Sequence, residues 1–319
     1  MNGGHQCTEG KRGLWYINPV GGEVTVNPGS VQDEIKKLKG ELRRLKRLLR
    51  ELSPSIEALL RKRGLRIYKR EPGEDLLLPQ RKYLSNYYRM LHKYSFRLFL
   101  RDVIKFQKGF TPQDVTRYAT EEVTQDYISY LKKIGLLRKS AGLWRLTRSI
   151  KSFGETLEWF FAEILKREFL MEATWGVRFK SPDSSSLRPQ PGGDFDVIAK
   201  FDGELLYAEV KSSPPKQIYQ KEIRAFLKRI KMLKPELSIF FMDTELRMKD
   251  KIVPMFEEEF MTLRESQDNQ FLPPIERIEK EIFHAGNFLY IMNSKDSIVH
   301  NMETVLSWYH RNKPAVRFF

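Results

Sequence analysis

Residues 194–211 constrain the fold of this chain more than any other stretch. They consist of two strand-like runs, DFDVIAKF and ELLYAEVK, joined by Asp202-Gly203. An Asp-Gly pair between two such runs is the strongest short-range signal of a β-hairpin with a two-residue turn. With these turn residues Phe201 pairs with Glu204, and the partner of every other residue follows from that pair. The sequence therefore predicts a hairpin of defined register.

The predicted register brings charged residues to one face of the hairpin. Asp196 is expected opposite Glu209 and Asp194 opposite Lys211, and strand alternation places these side chains on the same face. Opposed β-carbons lie about 5 Å apart, so Asp196 and Glu209 are close enough to hold one divalent cation. The alternative is an exposed face of alternating salt bridges, Asp194 with Lys211 included. The other face is expected to be apolar core, formed by Phe195, Val197, Ala199, Leu206, Ala208 and Val210.

A helix that precedes the hairpin supplies a further acid. Residues 154–169 place apolar side chains on one helical face, which predicts an amphipathic helix packed on a sheet. Glu158 flanks this apolar stripe, whereas Glu155 and Glu163 point further from it. Glu158 is thus the better candidate to reach a site at the sheet edge, with Glu155 as its rival. The alternative for either residue is a solvated glutamate.

The order of these segments resembles the PD-(D/E)xK nuclease superfamily, most closely its resolvase and Mrr-type restriction branches. The resemblance rests on a helix with an acid, a strand at 173–180, the run GGDFDVIA, the run EVK thirteen residues after the aspartate, then a helix and a strand at 237–242. The proline that usually precedes the aspartate is absent. The resemblance implies an α/β domain over residues 151–319, with a restriction endonuclease-like mixed central sheet flanked by helices.

The resemblance also implies roles for individual residues. Asp196, Glu209 and the main-chain carbonyl of Val210 would bind Mg²⁺, for which Mn²⁺ is a possible substitute, and Lys211 would orient or activate the attacking water. Glu158 takes the place of the family's helix acid. Such chemistry needs a hard cation, which neutralises phosphate charge and lowers the pKa of bound water, and a lysine that stabilises developing charge. The implied activity is hydrolysis of phosphodiester bonds.

The helix expected at residues 216–234 follows the hairpin and is strongly basic on one side. Four of its cations are candidates to track a DNA backbone: Lys216, Lys221, Arg224 and Lys228. Arg229, Lys231 and Lys234 are also expected to point largely outward. An ordinary solvated face is an equal alternative. Gln220, with Gln217, is a candidate to support the site, as is Asp194.

The N-terminal part predicts an arm followed by a long basic helix. Residues 1–30 form the predicted arm, with Trp15 and Tyr16 as its aromatic cluster. Within 31–64, apolar residues recur in alternating steps of three and four, which is a coiled-coil pattern. Ser53-Pro54 is expected to kink or restart the helix. The helix is either a dimerisation arm or one half of a hairpin folded on the same chain. The apolar positions are Ile35, Leu38, Leu42, Leu45, Leu49, Leu52, Ile56 and Leu59.

Residues 65–150 resemble a winged helix-turn-helix domain. A helix around 98–104, a second that opens at Thr111-Pro112 and a third at 123–134 precede two short strands around 140–142. The third helix begins with Glu121 and Glu122, which would repel phosphates, so the strands are expected to contact DNA more than the helix does. The alternative is a purely structural or dimerising module.

Composition favours an anionic partner. The chain carries 56 Lys and Arg against 41 Asp and Glu, a net charge of +15, which points first to nucleic acid. Its single cysteine, Cys7, excludes an internal disulfide, and the five histidines are too far apart for a short metal-binding motif. No apolar run is long enough for a membrane span, and no secretion signal is evident, so a cytoplasmic protein is expected.

Together these features predict a homodimeric, Mg²⁺-dependent DNA endonuclease, with a restriction or defence role favoured. The alternatives are a structure-selective repair or junction-resolving nuclease and a DNA-binding regulator whose nuclease fold is inactive.

Overall fold

The computed structural model describes residues 28–180, 194–265 and 272–313, and the chain divides into two compact units, 1–53 and 54–319. In the first unit, helix α1 spans Pro28–Leu52 and exposes the apolar residues Val31, Ile35, Leu38, Leu42 and Leu45. The predicted arm with Trp15 and Tyr16, Cys7 and the Gly192-Gly193 pair lie outside the described residues.

The predicted break at Ser53-Pro54 is confirmed, because α1 ends at Leu52. The next helix, α2 (Ile56–Lys62), starts after Ser55, whose hydroxyl accepts a hydrogen bond from the Ala58 amide. Ile56 and Leu59 do not extend the coiled-coil pattern in space; they are buried with the core of the large sheet. The second unit therefore begins with this helix.

The remaining elements of the second unit alternate helices and strands. In chain order they are β1 (Arg66–Lys69), α3 (Leu84–Leu91), α4 (Tyr94–Lys105), α5 (Glu121–Lys133), β2 (Leu137–Ser140), β3 (Leu143–Leu146), α6 (Gly154–Arg167), β4 (Glu172–Lys180), β5 (Phe195–Phe201), β6 (Glu204–Lys211), α7 (Gln220–Leu233), β7 (Leu237–Met242), α8 (Ile252–Glu265), β8 (Ile275–Glu279), β9 (Ile282–Ala285), β10 (Leu289–Asn293) and α9 (Ile298–Arg311).

Within the described ranges, eight strands form one mixed sheet in the order β1-β4-β5-β6-β7-β10-β9-β8. β6, β7 and β10 run parallel to one another, and the other neighbours are antiparallel. Helices α6 and α9 cover one face, and α2, α7 and α8 cover the other. The predicted fold class is thus confirmed in its coarse form, a mixed central sheet flanked by helices.

Both edge strands of this sheet are short and charged. β1 (RIYK) and β8 (IERIE) each have an irregularity in their pairing, between Ile67 and Lys69 and between Arg277 and Glu279. Neither strand was expected from the sequence, and β1 lies within the residues assigned to the winged-helix-like module.

The β5–β6 hairpin has the predicted register. Phe201 pairs with Glu204, and the pairing continues through Val197 with Ala208. Asp202 and Gly203 both have positive φ, 49° and 81°, as a type I′ turn requires. The hairpin lies in the middle of the sheet and is therefore buried on both faces. The face that carries Asp196 and Glu209 was expected to be polar, but it is polar only at one end. Ile198, Leu205 and Tyr207 form core on that side.

Phe195 does not share a face with Val197, as alternation predicted. It packs on Phe179 and Tyr207, on the side covered by α7, whereas Val197 belongs to the opposite face. The switch occurs where Gly176, with φ of 56°, lies in β4 between the residues that pair with Val197 and Phe195. A glycine in this conformation locally turns the strand, which re-aims neighbouring side chains.

Residues 84–146 contain α3, α4, a short 3-10 helix at Pro112–Val115, α5 and the antiparallel pair β2–β3. Thr120 caps α5 through the Val123 amide, and Phe110 bridges to Trp144 beside the strand pair. A buried ion pair between Arg97 of α4 and Asp243, just after β7, ties these elements to the large sheet.

Among the described helices, none is long and apolar enough to cross a membrane.

Candidate active site

An open cleft lies at the end of β5 and β6 beside helix α7. Its volume is about 510 Å³, and both strands contribute carboxylates to it. The hairpin register, continued one step beyond the pair Val197–Ala208, places Asp196 opposite Glu209, near the start of β5 and the end of β6. The cleft is lined by Arg178, Asp194, Asp196, Glu209, Lys211, Lys221, Glu222, Ala225 and Arg229.

Glu209 is the most enclosed carboxylate of the cleft, with 1% of its surface exposed. Its Oε1 accepts from Lys211 Nζ at 2.5 Å and from Arg229 Nη1 at 2.7 Å. Its Oε2 accepts from the same Arg229 atom at 2.8 Å and from the Tyr207 hydroxyl. Burial raises the pKa of this carboxyl, but the charges of Lys211 and Arg229 outweigh burial and hold the pKa below its usual value. Glu209 is therefore ionised.

Asp196 lies next to Glu209 with weaker compensation. Its Oδ2 accepts from the Val210 amide at 2.8 Å and lies 3.8 Å from Lys211 Nζ. Burial, together with the negative charge of Glu209, raises the pKa of Asp196 to about 7. A carboxyl in this state is half protonated at neutral pH and gains from a nearby cation.

Lys211 is charged and bridges the two acids. Burial lowers its pKa, but the carboxylates of Asp196 and Glu209 outweigh this effect and raise the pKa above its usual value. The expected grouping of Asp196, Glu209 and Lys211 is thus present in the structure.

Of the two helix acids, Glu158 lies nearer to this group. Burial raises its pKa well above the usual range, and the charges of Asp196 and Glu155 add to the effect while Lys211 opposes it. Glu155 instead accepts a hydrogen bond from the Asp75 amide at 3.0 Å, which ties α6 to the preceding loop. Glu158 is therefore the helix acid with an electrostatic link to the cleft.

Asp194 does not pair with Lys211, as the extended register predicted. Its carboxylate binds Arg178 of β4, with Nη2 to Oδ2 at 3.0 Å and a second bond from Nε. Asp194 lies just before β5, where the β4–β5 register continued by one pair beyond Val177–Phe195 places Arg178 opposite it. Asp194 still lines the cleft.

Arg229 lines the cleft although the sequence did not indicate it, and the same is true of Arg178 and Glu222. Arg229 was expected to point outward with the other cations of α7, but it is 9% exposed and bonds to Glu209. Its position carried the signal, because it lies three residues after Phe226 and four before Leu233, both buried on the apolar side of α7. Its charged side chain masked that signal.

The other residues of α7 and of the segment before it that were expected to bind DNA or to support the site do not lie together. Lys221 lines the cleft, whereas Lys216 and Lys228 are exposed outside the cleft lining. Arg224 forms an ion pair with the buried Glu259 of α8 at 2.8 Å. Gln220 donates to the Met255 carbonyl at 2.7 Å, so it joins α7 to α8 and does not support the site as expected. Gln217 is exposed.

The residues at the cleft offer the type of donor atom that a hard divalent cation prefers. Asp196, Glu209 and the Val210 carbonyl are oxygen donors, which Mg²⁺ prefers. Within the described ranges, no group of three or more His, Cys, Asp or Glu residues is placed to hold a metal, so the carboxylate pair would need the carbonyl or water to complete it. One condition follows from the bonds above: Glu209 must release one of its donors to bind a cation.

Comparisons with known proteins give little guidance. No protein-family model matches the chain, and no curated protein matches it. Among solved structures, the chain is similar to the crystal structure of protein VC1899 from Vibrio cholerae, at 13% identity and a TM-score of 0.42. The match covers 82% of this chain and 62% of that chain, so this chain spans less than two thirds of that protein's length. At this level the similarity identifies neither a family nor an activity.

Proposed function

We propose that this protein is a metal-dependent DNA endonuclease of the restriction or defence type, with a PD-(D/E)xK nuclease fold in residues 151–319. The observation that carries the proposal is the meeting of Asp196, Glu209 and Lys211 at the end of two paired strands, beside an open cleft. A net charge of +15 suits a polyanionic substrate.

Each group of the cleft has a distinct task in this proposal. When bound, Mg²⁺ would neutralise the negative charge of the phosphate. Asp196, Glu209 and the Val210 carbonyl hold the cation, and Lys211 places a positive charge beside the phosphate oxygens on which negative charge develops. Glu158 is half-buried with a raised pKa, so it is suited to hold a proton near the reacting atoms. Cytoplasmic location belongs to the same proposal.

Cleavage assays with matched variants test this assignment. Plasmid, single-stranded, branched and RNA substrates are incubated with Mg²⁺, with Mn²⁺ or with chelator. Glu209→Gln and Lys211→Ala are expected to lose at least roughly 100-fold in cleavage rate, since each removes a group that stabilises the transition state. Arg311→Gln is the control, because Arg311 is exposed on α9 and lies outside the cleft lining.

The outcomes separate the rival functions. Cleavage restricted to branched DNA supports a junction-resolving nuclease instead, and DNA binding without cleavage in either metal supports a regulator with an inactive fold. Equal cleavage by wild type and both variants contradicts the active site proposed above.

We also propose that residues 65–150 form a winged helix-turn-helix module that contacts DNA through its β2–β3 ribbon. Arg138 faces Arg145 directly across this ribbon, and the exposed Lys139 is the next residue, with its amine over the Trp144 ring. Like charges opposed on a ribbon are unfavourable, and an anionic backbone would relieve the repulsion. The first turn of α5 carries Glu121 and Glu122 instead, both exposed.

Replacing the ribbon cations tests this contact. Arg138→Gln combined with Lys139→Gln is expected to weaken binding of duplex DNA and to make the dependence of log affinity on log salt shallower by roughly 1.8, the loss of two phosphate contacts. Lys132→Gln with Lys133→Gln, in the last turn of α5, is the matched control. An unchanged salt dependence in the ribbon variant would contradict the contact.

We further propose that α1 forms a parallel two-stranded coiled coil with a second copy of this chain. Its exposed apolar residues alternate in steps of four and three from Val31 to Leu45, the spacing of a coiled-coil seam. In a parallel pair, Glu34 of one copy lies beside Lys39 of the other, five residues on, and the sequence repeats this relation at Glu41 and Lys46. An antiparallel pair would bring like charges together.

A further inference from the structure

The bond between Arg229 and Glu209 leaves part of the guanidinium unexplained. Both hydrogen bonds to Glu209 come from Nη1, and the side chain also packs over the Phe195 ring, 5.9 Å from its centre. Among the described residues, Nε of Arg229 has no hydrogen-bond partner although it is buried. A buried donor without an acceptor costs free energy, and a water, an ion or a ligand that accepts from it would remove that cost.

The orphaned donor belongs to the edge of the side chain that recognises phosphate. Nε and Nη2 form the planar fork with which a guanidinium grips two oxygens of a phosphate or carboxylate. The bonds to Glu209 do not involve Nε. Arg229 also lines the open cleft together with Lys211 and Lys221, where a negatively charged backbone would lie.

Glu209 is meanwhile saturated with donors. A carboxylate oxygen accepts about two hydrogen bonds, and each oxygen of Glu209 already has two, from Lys211 and Arg229 on Oε1 and from Tyr207 and Arg229 on Oε2. Tyr207 and Lys211 are fixed on the same strand as Glu209. Arg229 belongs to α7 and has a long side chain, so it is the donor that can leave.

We propose that Arg229 is a phosphate-binding residue of the cleft, and that its bonds to Glu209 are exchanged for bonds to a DNA phosphate when cation and DNA bind. The proposal rests on the nuclease function above. Arg229 then competes with the cation in the free protein and is drawn away by the phosphate. Cation and DNA consequently favour each other's binding, and this coupling is reciprocal.

Binding measurements on Arg229→Gln test the exchange without depending on cleavage. Titration calorimetry with Mg²⁺ and no DNA is expected to show roughly tenfold tighter binding than wild type, because one charge-assisted competitor for Glu209 is gone. Binding of a short duplex in Ca²⁺ is expected to weaken, with a salt dependence shallower by about 0.9, the loss of one phosphate contact. Arg311→Gln, which removes an exposed arginine from α9 on the opposite face of the sheet, should change neither quantity.

Arg229→Lys guards against a variant that merely fails to fold. It retains the cation but loses the fork, so the wild-type salt dependence should return while Mg²⁺ still binds more tightly than in wild type. The proposal is overturned if both Arg229 variants bind Mg²⁺ no more tightly than wild type, or if Arg229→Gln keeps the wild-type salt dependence. If Glu209→Gln loses cleavage but the Arg229 variants show none of the expected changes in binding, only the exchange is overturned. If the wild-type protein does not cleave, only the nuclease function is overturned.

Discussion

Asp196 is the acid of the cleft whose negative charge is least well compensated. Burial and Glu209 raise its pKa from 3.8 to about 7 in the metal-free protein. The folded state therefore binds more protons than the unfolded state between these values, and the free energy of unfolding falls as pH rises through that window. The cost is greatest at and above pH 7, where folding must keep this carboxylate ionised.

Removing that charge is expected to stabilise the metal-free protein. Asp196→Asn keeps an oxygen that can accept from the Val210 amide, so at pH 8 in chelator we expect its melting temperature to exceed that of wild type by roughly 2–4 °C or more, the shift for about 1 kcal/mol. At pH 4 the difference should vanish. Added Mg²⁺ should raise the melting temperature of wild type and not that of Asp196→Asn. A variant less stable than wild type at pH 8 would contradict the raised pKa.

Single residues of the site differ in how far the sequence predicts them. Asp196, Glu209 and Lys211 follow from the register of one hairpin, which local turn chemistry determines. Asp194 and Arg229 depend instead on segments distant in sequence: one meets Arg178 of the neighbouring strand, and the other reaches in from a helix. Pairings of that kind are set by packing, which periodicity alone does not specify.

At the scale of elements, Gly176 shapes the strand that supports the site. Its φ of 56° is uncommon for other residues, and a β-carbon added there would clash with the ring of Pro72. By register it lies opposite Asp196, between the pairs Trp175–Val197 and Val177–Phe195. Phe195 switches to the α7 side at this point of the register, where distant segments meet, and no local pattern in the sequence indicates it.

Gly176→Ala is therefore expected to be costly and to disturb the site. We expect a loss of roughly 2–4 kcal/mol in the free energy of unfolding, from backbone strain plus the clash. Gly203→Ala is the control, since Gly203 also has positive φ but nothing lies near its added β-carbon, and it should cost only about 1 kcal/mol. Denaturant unfolding of both variants measures the difference. Equal losses in the free energy of unfolding would mean that the Pro72 ring moves to make room for the added β-carbon.

The elements themselves were predicted unevenly. β7 and β4 lie where their apolar runs indicated, and α6 begins at the expected residue. β1, β8 and β9 were missed because they are short, and two of them are rich in charge, so their pairing depends on neighbours already in the sheet.

At the scale of the whole molecule, assembly through α1 is the main expectation. Light scattering of the full chain should give a dimer, and Leu38→Asp with Leu42→Asp should give a monomer, because both side chains lie on the exposed seam. Leu170→Asp is the control, since Leu170 is 89% exposed in the other unit. If the wild-type protein is monomeric at all concentrations, the proposed coiled coil is wrong.

Cross-linking determines the direction of the pair. With Cys7 replaced by Ser, Leu38→Cys should form a disulfide between two copies in a parallel coiled coil, where equivalent seam positions face each other. Efficient cross-linking only between Leu38→Cys and Leu42→Cys chains would indicate the antiparallel arrangement, in which each seam residue faces the other type of seam position.

The two edge strands of the large sheet also affect how copies of the chain associate, because they limit unwanted pairing. An unpaired strand offers amides and carbonyls to any passing extended chain, which is how fibres and strand-swapped aggregates begin. β1 and β8 are short, irregular in pairing and charged, and these features discourage such templating. Edges of this kind let copies of the chain come close together at high local concentration without fusing their sheets.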